Sequence, residues 1–205
     1  MQFKSYLWLV LTVFMIFAVD GALAQTSPAA TETKLSLAVG LGISGFDSDF
    51  YTDRVYGETL WVDYSPNVIP HALQGLGVEM YARDLDWNRS QAEPSNLRFD
   101  VAGGGLIYSW HHYRLIRPYV KYEVGFGNMD AMGANLRRYN QTRTVTSYGG
   151  GVEFHAMSNV WLRGEYEYQS WPDFFYSPQG KPIASLNPMG VTIGAMYHFG
   201  KHRLR

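Results

Sequence analysis

From Lys34 to Ser44 the chain reads KLSLAVGLGIS, with Leu35, Leu37, Val39, Leu41 and Ile43 at every odd position. The even positions hold Lys34, Ser36, Ala38, Gly40, Gly42 and Ser44. A period of two predicts a strand whose faces meet different surroundings. The same alternation recurs in GETLWVDY (57–64), LGVEMYAR (76–83), LRFDVAGGGLIYSW (97–110), PYVKYEVGFG (118–127), RTVTSYGGGVEFH (143–155), VWLRGEYEYQSW (160–171) and GVTIGAMYHF (190–199). Eight strands are thus expected. In the fourth, Leu97, Phe99 and Val101 alternate with Arg98 and Asp100, and the phase blurs through Gly103 to Gly105. The connections alternate too: long polar loops are expected at about 45–57, 84–96, 128–142 and 172–188, and short turns at 111–115 and 157–159. The stretch SPNVIPHALQ is longer than that scheme wants. One long-looped end and one short-turned end is the pattern of a transmembrane barrel.

Charge and side-chain size decide which face meets which solvent. If the large apolar residues pointed inward, they would overfill an eight-stranded interior, which is only just wide enough for side chains. With those residues turned to lipid, glycines, small residues and charges fill the centre, and Gly40, Gly42, Gly125, Gly127, Gly149, Gly151 and Gly194 leave room for Trp61, Tyr81, Trp161 and Met196. The interior then holds Arg83, Arg98, Lys121, Arg143 and Arg163 against Asp63, Glu79, Asp100, Glu123, Glu153, Glu165 and Glu167. Buried ions must be paired. The expected network is Glu79, Arg83, Arg98, Asp100, Lys121, Glu123, Arg163, Glu165 and Glu167.

The fold class that follows is all-β: an eight-stranded antiparallel up-and-down transmembrane barrel at residues 34–199. Met1 to Ala24 adds a targeting element, with Lys4, an apolar run from Tyr6 to Val19 and the small-x-small pattern Ala22-Leu23-Ala24. Residues 1–24 are expected to be a cleaved signal peptide, 25–33 a disordered leader and 200–205 a short tail. A net charge of −1 gives no pull toward nucleic acid, and the absence of cysteine excludes disulfides and thiolate metal sites.

Aromatics cluster near the strand ends: Tyr64, Trp110, Tyr113 and Phe199 by the short turns, and Phe46, Trp87 and Trp171 by the long loops. Girdles at the two lipid interfaces account for them. Within WPDFFY, the residues Trp171, Phe174, Phe175 and Tyr176 are candidate loop contacts for a ligand. The six histidines lack metal-ligand spacing, and the GGG runs are no phosphate loop, since no helix follows. No metal, cofactor or catalytic group is expected.

These residues resemble the small outer-membrane β-barrel domains of the opacity-protein and OmpA-like superfamily. The likeness is carried by YGGGVEFHAMSNVWLRGEYEYQSW, by RPYVKYEVGFG and by the closing GVTIGAMYHF, although GKHRLR follows the final aromatic Phe199. It implies the cell outer membrane, contact with its lipid and lipopolysaccharide, and insertion by the barrel-assembly machinery. The leading expectation is a non-enzymatic structural or surface-display barrel with four long extracellular loops and a plugged interior. A surface adhesin or ligand-binding barrel acting through the loops is the alternative, its ligand unnamed. A narrow channel and a lipid A-modifying enzyme are weaker readings. Lipid A deacylases use a His-x-Ser-Asn pattern, whereas His155-Ala-Met-Ser158-Asn159 has one residue too many for His155 and Ser158 to share a strand face.

Overall fold

In a computed structural model the described residues are 37–49, 54–66, 74–88, 96–110, 115–132, 138–176 and 182–199. The expected signal peptide, leader and tail lie outside them. Among the described residues alternating sequence gives nine strands: β1 Leu37–Asp47, β2 Arg54–Tyr64, β3 Leu76–Asn88, β4 Asn96–Ser109, β5 Ile116–Met132, β6 Arg138–Met157, β7 Val160–Tyr176, β8 Pro182–Leu186 and β9 Met189–Phe199. Each strand from β1 to β7 pairs antiparallel with the next. β7 then pairs with β9, and β9 returns to β1 through registers such as Leu37↔Phe199, so eight strands close without a free edge. β8 stays outside the ring and pairs only with the far end of β7.

Three of the expected long loops are shorter than the sequence suggested. β1 runs to Asp47 and β2 starts at Arg54, β3 runs to Asn88 and β4 starts at Asn96, and β5 runs to Met132 before β6 starts at Arg138. The stretch 172–188, expected as loop, contains the end of β7 and all of β8. Polar residues there satisfy their backbone groups by continued pairing, such as Asp130↔Asn140 and Asp86↔Arg98. A polar strand that has left hydrocarbon keeps its ladder but loses its greasy outer face.

That transition inverts the pattern. Low in the barrel, toward the termini, the outer wall is apolar: Leu41 (59% exposed), Ile43 (71%), Met80, Leu106, Val120, Val124, Phe126 (68%) and Ile193. The inner wall there is charged. Toward the upper rim, where β1, β3, β5 and β7 end, Phe46, Val55, Leu85, Leu97, Phe99, Val101, Met129, Val145, Trp171 and Leu186 are buried inside. The outer wall at that level carries Asp47, Glu58, Asp84, Asp86, Arg98 and Asp100. The lower part is turned to lipid, and the upper part is built like a water-soluble barrel. A single strand can serve both environments because its backbone is unchanged while its two faces exchange character.

Candidate functional site

Inside the lipid-facing band the lumen is packed in layers. At its centre Lys121 of β5 projects from a face it shares with Tyr119 and Glu123, because all three sit at odd positions of one strand. Its Nζ lies 2.8 Å from Glu79 Oε1, 2.9 Å from Glu165 Oε1, 3.0 Å from Glu123 Oε2 and 3.2 Å from Glu167 Oε2. Arg163 of β7 fans across the same space. Its Nη2 donates to Glu79 Oε2 at 2.6 Å and Glu165 Oε2 at 2.7 Å, Nη1 to Asp63 Oδ2 at 3.2 Å, and Nε to the Tyr119 hydroxyl at 2.6 Å. Tyr119 in turn donates to Glu165 Oε2 at 2.7 Å.

Above this node Arg83 grips Glu167 with both terminal nitrogens, at 2.8 and 3.1 Å, a planar fork matched to a carboxylate. Its Nε donates to Thr59 Oγ1 at 2.9 Å, and Thr59 belongs to a hydroxyl row with Ser44 and Thr192. Glu167 also accepts from Gln169, whose side-chain oxygen accepts from the Trp171 indole at 2.9 Å. Trp171 lies in the apolar layer above. Phe99 packs edge-on to Trp171 with centroids 5.3 Å apart, and the guanidinium of Arg83 lies 4.5 Å from the ring of Phe46.

Beside the Arg163 guanidinium, which is 5.0 Å from its ring centroid, Trp61 lies over Gly40 and Gly194, where a Cβ would collide with its ring. At the lower mouth Arg117 stacks on Trp161 at 3.8 Å, and Trp161 is flanked by the rings of His155 and His198. Arg117 was missed by the alternation as read from Pro118 onward. Extending that phase by one residue puts it on the inner face with Tyr119 and Lys121, opposite Glu153 in register.

Of the nine residues expected to form the interior network, Glu79, Arg83, Lys121, Glu123, Arg163, Glu165 and Glu167 meet inside the barrel. Arg98 and Asp100 do not. They face outward on the upper wall, where Arg98 bridges Asp84 at 2.7 Å and Asp100 at 3.1 Å. The alternation of β4 points Leu97, Phe99 and Val101 to lipid, whereas the structure buries all three inside the upper barrel, which turns Arg98 and Asp100 outward. Burial, acting with the facing Asp84, pushes the Asp100 carboxyl up to about 6 against the opposing pull of Arg98.

Trp171, expected as a loop contact for a ligand, is fully buried in the lumen. It occupies an odd position in phase with Gln169 and Glu167, and lumen packing claims its ring. Phe174, Phe175 and Tyr176 continue β7, with Phe175 and Tyr176 facing Ala184 and Pro182 of β8 across the ladder, and their side chains lie outside the described residues. Phe46, expected in the upper girdle, is likewise inside, whereas Tyr64, Trp110 and Phe199 are exposed at the lower rim. Tyr113 and the side chain of Trp87 lie outside the described residues. His155 Nε2 meets the backbone carbonyl of Ser158 at 3.5 Å. Nothing in that contact activates the Ser158 hydroxyl, since a general base must reach the proton it removes. Among the described residues no three His, Cys, Asp or Glu side chains converge as a metal site.

Comparison with known proteins agrees with this architecture. Residues 9–199 match the family model described as the outer membrane protein beta-barrel domain. Among solved structures, Neisserial surface protein A superposes with a TM-score of 0.58 at 13% identity, covering 80% of this chain and 97% of its own. Ail, the attachment invasion locus protein of Yersinia pestis, gives 0.54 at 17% identity, with 82% and 100% covered. OprG from Pseudomonas aeruginosa gives 0.51 at 13%, with 82% and 98% covered. Among curated protein sequences none is similar to this chain. The inverted face pattern, the closed eight-stranded ring and the family match together lead to one conclusion: the chain belongs to the outer membrane protein beta-barrel domain family and is a barrel of the cell outer membrane.

Proposed function

We propose that this protein is a non-enzymatic, closed scaffold whose work is done at its upper, extracellular rim. One observation carries the reading: the lumen is occupied along its height, by the ion network in the middle and by Phe99, Met129, Val145, Trp171 and Leu186 above. Solute has no path through such a centre, so contact with partners falls to the wall and loops. The lipid-facing band contacts outer-membrane lipid and lipopolysaccharide, and the closing strand ending at Phe199 suits recognition by the barrel-assembly machinery. Planar-bilayer recording on the refolded protein tests the closure. The expected trace lacks a stable porin-like conductance; a persistent large conductance would overturn the proposal.

A second reading, adhesion or ligand capture, is favoured by the polar upper wall, whose strands continue beyond the apolar outer band. Ail has been crystallised in complex with the heparin analogue sucrose octasulfate. In the present chain the described wall carries Glu58, Asp84, Asp86 and Asp100 beside Arg98, which suits a neutral or cationic ligand better than a polyanion. Replacing 177–181 by a short Gly-Ser link should leave the barrel heat-modifiable while lowering whole-cell adhesion. Unchanged adhesion would remove the loop from this role.

A further inference from the structure

The central layer of the lumen holds more negative groups than positive ones. Asp63, Glu79, Glu123, Glu165 and Glu167 face Arg83, Lys121 and Arg163, and all of these residues are buried. The neighbouring Glu153 does not draw on this set alone, because it stands in register with both Arg117 and Arg163. The side chains of the five carboxylates and three cations are at most 3% exposed, except that of Asp63 at 10%. Five carboxylates therefore share three cations in a buried layer.

Donor counting locates the imbalance. An ammonium has three hydrogens, yet four carboxylate oxygens surround Lys121 Nζ within 3.2 Å. Glu123 is the poorest served, since it is wholly buried, its Oε1 meets no donor, and its Oε2 meets only Lys121, at 3.0 Å and out of hydrogen-bond alignment, whereas Glu167 has Arg83 and Gln169 besides. The groups around it are Lys121 on its own strand, Glu79 and Tyr81 from β3, Ser147 opposite on β6, and Glu167 from β7. Asp63 is the second anomaly. It stands directly across the β2–β3 ladder from Glu79, a like-charge pair in register, and its Oδ1 meets no donor. Arg163 reaches it only through Oδ2, and Glu153 adds further negative charge nearby. Like charges directly opposite on a sheet repel, and burial weakens the screening that water would give them.

We propose that this layer is a proton-binding site: the folded barrel holds two protons there at neutral pH, one on Glu123 and one on the Asp63–Glu79 pair. With both in place three carboxylates face three cations and the layer is neutral. Protons fit better than a metal ion, because the described residues form no cluster of metal ligands and Lys121 already fills the point where the carboxylates converge. The site makes the inner wall neutral in the folded state while leaving five carboxylates charged on the unfolded chain.

Infrared spectroscopy of the barrel refolded in micelles of dodecylphosphocholine, a detergent with no carbonyl group, in D2O tests this. Wild type at pH 7 should show carboxylic-acid C=O absorption equivalent to two groups per chain. Glu123→Gln should lose about half of it and Asp63→Asn the other half, with both variants still heat-modifiable. The absence of any carboxylic-acid band from wild type would overturn the proposal, and that spectrum decides the matter even if a variant fails to fold. A band unchanged in both folded variants would overturn it as well, as would one stoichiometric metal ion retained after chelator treatment.

Discussion

Replacing Arg163 by alanine removes the most connected cation of the lumen. The guanidinium donates to Asp63, Glu79, Glu165 and Tyr119, and its side chain is 1% exposed. Hydrogen bonds to charged groups contribute about 1.5–3 kcal/mol each. Their gross sum is partly offset because the variant no longer has to desolvate a guanidinium, and Lys121 still reaches Glu79 and Glu165. Asp63 has no such second cation. Breaking a buried pair from one side costs about 3–5 kcal/mol, since it strands the partner charges. That is the expected loss for Arg163→Ala. The internal reference is Arg98→Ala, which removes bridges to Asp84 and Asp100 on the outer wall, made by a side chain that is 42% exposed. A surface pair of this kind is worth about 0–1 kcal/mol. Urea titration of both variants in vesicles, read by tryptophan fluorescence and by the shift between boiled and unboiled gel migration, gives the two values side by side. If Arg163→Ala costs no more than Arg98→Ala, the lumen network does not hold the barrel together and the reasoning fails.

Three further outcomes follow from particular contacts. Trp171→Ala, which empties a fully buried site against Phe99 and Gly127, should lower stability by about 3–5 kcal/mol, and a urea midpoint equal to wild type would contradict its place in the lumen. Gly40→Val sets a branched side chain where the Trp61 ring lies and should cost about 1–3 kcal/mol or block folding, whereas Gly164→Ala, with open space at its Cβ, should leave the midpoint near wild type in the same titration. Asp100, raised to about 6 in the folded state against about 3.9 for a free aspartate, binds more protons folded than unfolded between those values. Its contribution is therefore fully present below about pH 4 and is lost as pH rises through 6. Asp100→Asn should flatten that part of the stability–pH curve, and an unaltered curve would refute the assignment.

The barrel's lower part was legible because lipid and lumen impose opposite demands on neighbouring residues. Leu41 and Gly42, or Val124 and Gly125, have no freedom to exchange faces without placing a large side chain in a crowded centre. The candidate site was legible to the same depth. Glu79, Lys121, Glu123, Arg163, Glu165 and Glu167 all lie on strands whose alternation stays in one phase through the membrane. The errors concentrate where strands leave it. Arg98, Asp100, Phe46 and Trp171 belong to stretches in which apolar residues point inward and charges outward, the rule of a soluble barrel. An alternating pattern reports that two faces differ, and it is silent about which face meets water.

What the sequence determined by itself is the period of two, the strand number in the ring and the division between large and small faces. These are local properties, fixed by side-chain size and backbone pleat. What only the tertiary structure decided is the height at which hydrocarbon gives way to water, and with it the direction of every side chain above that line. It also decided which carboxylates share Lys121 and Arg163, because β3, β5 and β7 meet there only once the ring has closed. Strand register and tilt set that meeting, and neither is written in any one segment of the chain.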